Sequence, residues 1–176
     1  MTIGRPQPGD YAPFYQPYLD ASASVADARD LLAAQDGLLA AMAGWPEGKW
    51  AHRYADGKWT VGQVVGHMAD TERVFAYRLL RIARGDATPL SGFDEKAWQT
   101  VAGYDARSLA SVVEELTIVR KASRVLIDSL DAAAIEREGV ANNLRVTAKA
   151  LAWLIPGHFQ HHAGILRDRY GLGLGA

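Results

Sequence analysis

Three of the five histidines of this 176-residue chain fall within five positions, in the stretch GHFQHHAG over residues 157–164. His158 and His162 stand four apart. On a helix that spacing turns both imidazoles the same way, with Cβ atoms about 5–6 Å apart. Metal–nitrogen bonds of about 2.0–2.1 Å then let the two rings converge on one ion. His161 points to one side and is the alternative to His162. An H-x-x-x-H pair alone also describes two solvated histidines on an exposed helix face. However, the residues before it (Ala148, Ala150, Leu151, Trp153, Leu154, Ile155) are apolar on several sides, so the pair is expected to run on into an interior, where unpartnered imidazoles are costly. His67, beside an apolar helical stripe, is a third imidazole able to meet the pair across a bundle. Three neutral nitrogen ligands leave open positions for water or substrate, the arrangement of a catalytic metal. His52 lies in a loop without a helical partner and is left out.

What could such a site do here? With no cysteine in the chain, disulfides, thiolate ligands and a thiolate nucleophile supplied by the protein are all excluded. A sulfur nucleophile would have to arrive as a cosubstrate. The chain carries 19 Lys+Arg against 20 Asp+Glu, for a formal charge of −1. That balance gives no reason to expect a nucleic acid or a membrane surface as partner. The N-terminus lacks the apolar core of a signal peptide, prolines at 6, 8, 13 and 17 interrupt it, and no stretch is apolar enough to span a bilayer. A cytoplasmic protein acting on a small molecule is expected.

The elements that must position the histidines read as helices throughout. Residues 1–23, rich in proline and tyrosine, are expected to form an extended arm, and residues 24–176 a single domain. Helix one is expected from about Ser24 to Met42, on Val25, Ala28, Leu31, Leu32, Leu38, Leu39 and Met42, with Gly44 and Pro46 ending it. A loop with tryptophans 45, 50 and 59 follows. Thr60 and Gln63 form a capping-box pair opening helix two, whose stripe is Val61, Val64, Val65, Met68, Phe75, Leu79 and Ile82. Gly85 is the C′ residue, which accounts for the RGD at 84–86. Residues 85–105 form a long connection with one short helix near Glu95–Val101. Helix three is expected over about Ser108–Leu130, and helix four from the Thr147 cap to about Tyr170. Nothing alternates long enough to argue for a sheet, so the fold class is all-α, a four-helix bundle. Its helix order stays open on these grounds.

Helix geometry also suggests residues around the ion. Gln63, Thr71 and Arg78 lie on nearly the same side as His67, with Asp70 about sixty degrees away. Asp70 could accept a hydrogen bond from a ligand histidine. Arg78 lies roughly 16 Å along the axis and is expected to pair with Asp86 or Asp94 instead. Pro156 frees the carbonyl of Ala152; a kink there would aim His158, or the proline marks a place where two helical segments join. Trp59 is expected to staple the loop onto the core.

The stretch GKWTVGQVVGHMADTERVFAYRLLRIARGDATPLSGFDE, together with GHFQHHAGILRDRY, resembles the DinB/YfiT-like family of metal-dependent enzymes. The matches run over residues 57–94 and 157–170. The resemblance implies an up-down-down-up order for the four helices. It also implies a metal triad falling on His67, His158 and His162, and a divalent ion such as nickel or zinc. It further implies transfer of a low-molecular-weight thiol to an electrophile, or a thiol-dependent isomerisation; an ion that activates water instead would make the reaction a hydrolysis. The alternative is a non-catalytic metal-binding or structural stress-response protein. A homodimer is expected from the common pairing of bundles through exposed faces.

Overall fold

The computed structural model describes residues 2–173. Its elements in chain order are α1 (Gln16–Asp20), α2 (Ala28–Ala34), α3 (Asp36–Ala43), α4 (Val61–Ala83), α5 (Glu95–Val101), α6 (Leu109–Asp128), α7 (Ala132–Ile135), β1 (Glu138–Ala141), β2 (Leu144–Thr147) and α8 (Ala148–Tyr170). The fold is a four-helix bundle whose long members are the bent pair α2–α3, then α4, α6 and α8.

The helix order follows from which ends meet. Thr60, capping α4, donates from its hydroxyl to Asp105 just before α6, so α4 and α6 start together and run parallel. Tyr170 at the end of α8 donates to the Trp59 carbonyl at the start of α4, 2.7 Å away, so those two are antiparallel. Arg29 at the start of α2 pairs with Asp128 at the end of α6, at 3.1 Å. Trp45, just past α3, donates to Gly173, just past α8, at 2.7 Å. The direction is up-down-down-up. Helix α4 packs on α6 and α8, and α2–α3 packs on the same two helices, so consecutive α3 and α4 sit on a diagonal. A diagonal step requires the long loop of residues 44–60.

Sequence cues set the helix ends. The capping box at α4 is complete, with Thr60 accepting from the Gln63 amide and Gln63 bonded back to Thr60. Every residue of the expected α4 stripe is buried. Gly85 takes the left-handed conformation at φ +81°, as a helix stop requires. Asp94, Ser108 and Thr147 cap α5, α6 and α8.

Four differences from the sequence reading bear on the site. First, the arm is not extended throughout: residues 13–20 form a 3₁₀ turn and α1, with Pro13 and Pro17 in first-turn positions where their missing N–H is harmless. Second, helix one begins at Ala28, capped by Asp27, and bends at Gln35. The Gln35 amide donates to the Pro156 carbonyl at 2.8 Å and its oxygen accepts from Arg120. Third, α8 runs unbroken through Pro156, so no helix end falls there. Fourth, residues 138–147 form a β-hairpin, β1 pairing antiparallel with β2 from Glu138↔Thr147 to Ala141↔Leu144. Asn142 and Asn143 make its turn at φ +53° and +61°, conformations that asparagine tolerates. Four-residue strands are too short to register as alternation. Leu90 binds Val140 and Asn142 through backbone bonds of 2.9 Å, which ties the long 85–105 connection to the hairpin.

Candidate metal centre

Two helices bring the histidines together. His67 sits two turns into α4, and His158 and His162 face it from α8. Their ring centroids lie 5.0 Å (67–158), 4.9 Å (67–162) and 4.4 Å (158–162) apart, and one nitrogen from each falls within 4.8 Å of the others. His67 Nε2 and His158 Nε2 are 3.1 Å apart. Two bonds of about 2.0–2.1 Å at angles between octahedral and tetrahedral span about 2.9–3.4 Å, so that pair already has the spacing of two ligands on one ion.

The donors are also held neutral. Burial lowers the His67 pKa to about 4. Burial, then the neighbouring imidazoles, pushes His158 and His162 well below the usual histidine range. His67 Nδ1 lies 3.4 Å from the Thr71 hydroxyl one turn along, which leaves Nε2 to face the cluster. His162 Nδ1 is sealed from solvent with no hydrogen-bond partner among the described residues. An orphaned buried imidazole nitrogen is rare and calls for an explanation. A cation held among the three rings is a partner suited to such a cluster, because it binds through the lone pair of a neutral imidazole. The residues present therefore fit a divalent metal.

The other expected residues divide. Thr71 touches His67. Gln63 is taken up by the cap and by Arg53, at 3.1 Å. Asp70 turns to the far side of α4, where it meets Arg73 at 3.4 Å and lines a separate groove. There burial raises its pKa against the opposing effect of Tyr104. His161 lies outside the converging group and packs its ring 5.2 Å from Tyr18. Arg78 pairs with neither Asp86, which Arg81 holds, nor Asp94. Its buried side chain instead lines the histidine cavity. Trp59 does more than staple the loop, since its ring lies 4.9 Å from that of His67.

The cavity in front of the histidines has a volume of about 320 Å³. Sequence spacing gave no hint of most of its wall. Tyr18 comes from α1 and packs edge-on at 5.1 Å from His158. That approach needs a glycine at 157, since a Cβ there would stand 2.6 Å from the Tyr18 carbonyl oxygen. Phe93 and Glu95 come from the 85–105 connection, and Asn142 from the hairpin turn. Behind the histidines, buried Arg120 spans from Gln35 to Glu72, with Nη2 2.8 Å from the carboxylate and the guanidinium 4.6 Å over Phe159. This closed ion pair ties α3, α4 and α6 into one frame behind the site.

The family model of the DinB superfamily matches residues 30–166. The chain belongs to the DinB superfamily. Among solved structures, YfiT from Bacillus subtilis, described as a probable metal-dependent hydrolase with an unusual four-helix bundle topology, is similar with a TM-score of 0.70. It shares 20% identity, over 96% of this chain and 94% of that one, a likeness that shows the fold. No curated protein matches the chain by sequence. Among the described residues no helix is long and apolar enough to cross a membrane.

Proposed function

We propose that this DinB superfamily protein is a metal-dependent enzyme, with nickel or zinc held by His67, His158 and His162, acting on a small electrophilic substrate. The observation that carries the reading is the convergence of three neutral imidazoles, two buried and the third, His162, half-buried with its Nδ1 sealed from solvent and without a partner among the described residues. A bound divalent ion would supply Lewis acidity, polarising an electrophile and lowering the pKa of a bound water or thiol. The chain's own residues do the rest. Thr71 fixes the His67 ring, Tyr18 and Trp59 shield the imidazoles, and the aromatic walls exclude bulk water. Glu95, on the cavity wall, is the carboxylate placed to accept the nucleophile's proton.

Water as nucleophile makes the reaction a hydrolysis, which the description of the similar Bacillus subtilis protein favours. A low-molecular-weight thiol as nucleophile makes it a transfer, and the absence of cysteine requires that thiol to be a cosubstrate. The test uses tag-free protein. Metal content is measured on wild type and His67→Ala, and turnover of p-nitrophenyl acetate and 1-chloro-2,4-dinitrobenzene is followed with and without a panel of thiols. We expect one ion per chain in wild type and loss of most of it in the variant. Consumption of the ester without thiol assigns hydrolysis; consumption of the chloroarene only with thiol assigns transfer. Unchanged metal in His67→Ala overturns the ligand set, and inertness of the loaded protein to both probes leaves a non-catalytic metal-binding protein.

A further inference from the structure

Two arginines are buried among the described residues, and their charges are met differently. Arg120 is closed off by Glu72 and Gln35. Arg78 is 2% exposed, yet among the described residues no carboxylate comes within ion-pair distance of it. Its neighbours are the Ser91 carbonyl, which accepts from Nη2 at 2.8 Å, the Tyr15 hydroxyl, and the Phe93 ring 5.9 Å away. A buried cation without a counter-charge is strongly unfavourable, and one carbonyl and one phenol leave much of a five-donor fork unused. Arg78 forms part of the wall of the histidine cavity, and also borders the separate groove that Asp70 lines.

We infer that Arg78 binds the anionic group of the substrate, and that this substrate carries a single carboxylate on an apolar body; the inference rests on the cavity being the substrate site proposed above. The planar guanidinium matches a carboxylate in two parallel hydrogen bonds. Between Arg78 and the histidines the wall is aromatic, with Tyr15 and Phe75 in edge contact at 5.9 Å, which suits a hydrocarbon or ring. Glu95 faces the same cavity, and its charge opposes a dianion such as a phosphate monoester more than a monoanion. The Cα atoms of Arg78 and His67 are roughly 16 Å apart along α4. The arginine side chain reaches back toward the helix N-terminus, so a substrate of about one ring and a short chain bridges the two ends.

Calorimetric titration tests this with three probes: 3-phenylpropanoate, its neutral amide 3-phenylpropanamide, and phenyl phosphate. Each is titrated into wild type, Arg78→Gln and Arg78→Lys, both metal-loaded and chelator-stripped. We expect wild type to prefer the carboxylate over the amide at least tenfold, with or without metal. Arg78→Gln should lose that preference with amide affinity unchanged, and Arg78→Lys should recover part of it. Equal affinity of wild type for acid and amide overturns the inference without any variant, as does failure of all three probes to bind. Tighter binding of phenyl phosphate than of the carboxylate overturns the substrate class. A preference that survives Arg78→Gln but vanishes on stripping places the carboxylate on the metal; the inference then fails while the metal-dependent reading stands. Wild type that holds no metal, yet shows an Arg78-dependent preference, separates the two the other way.

Discussion

Acid should destabilise the metal-free protein through His67 by an amount that can be worked out. In the unfolded chain the imidazole titrates near its ordinary value of 6.5, and in the fold it is held at about 4 by burial. Above pH 6.5 both states are neutral and the histidine contributes no pH dependence. As pH falls below 6.5 the unfolded state takes up a proton that the folded state refuses, so stability drops at about 1.4 kcal/mol per pH unit until the folded group titrates near pH 4. From pH 7.5 to 5 the loss from His67 alone is about 2 kcal/mol, and below pH 4 it levels off near 3 kcal/mol. His158 and His162, shifted the same way, add to the loss in the same direction. Urea denaturation of chelator-stripped wild type and His67→Gln, every half unit from pH 7.5 to 4.5, isolates the residue. Carboxylate contributions are common to both proteins and cancel in the difference. The stability gap between variant and wild type should shift by about 2 kcal/mol in the variant's favour by pH 5. Parallel curves across that range would refute the claim that His67 is buried as a neutral base.

Three further outcomes follow from particular contacts. Thr71→Val removes the hydroxyl beside His67 Nδ1 and should weaken metal binding about 10–100-fold, read by competition with a chelating dye; unchanged affinity removes Thr71 from any part in orienting the ring. Glu72→Gln strips Arg120 of its carboxylate where both side chains are 2% exposed. A loss of about 3–5 kcal/mol is expected in urea, largely recovered in the apolar double replacement Glu72→Leu/Arg120→Met; failure of that recovery means the pair does more than neutralise itself. Gly157→Ala puts a methyl 2.6 Å from the Tyr18 carbonyl oxygen and should destabilise by about 1–3 kcal/mol, while freeing the Tyr18 ring from His158. Tyrosine fluorescence and the melting temperature report both, and a variant as stable as wild type would show that α1 shifts at no cost.

Features that depend on neighbours along one helix are legible in the residue order alone. The Thr60–Gln63 capping box, the Gly85 stop, α5 and the limits of α8 each rest on interactions within a few residues, and a local pattern records them. His158 and His162 share a face because four residues nearly complete a helical turn. Contacts between elements are set by packing and leave no local pattern. On a helical wheel Thr71 lies on nearly the same side as His67 and Asp70 about sixty degrees away, close enough for either to serve it. Packing sends Asp70 to Arg73 and Tyr104 on one side and brings Thr71 to His67 on the other. Spacing along α4 reads Arg78 as a distant surface ion-pair partner, because no one-dimensional pattern reveals that Arg81 takes Asp86 and that residues 91–93 fold over the guanidinium. Tyr18, Glu95 and Asn142 reach the cavity from three segments far apart in the chain, each aimed by the packing of its own element. Such convergence leaves no periodic trace, because the contacts that create it are made only after the helices have packed.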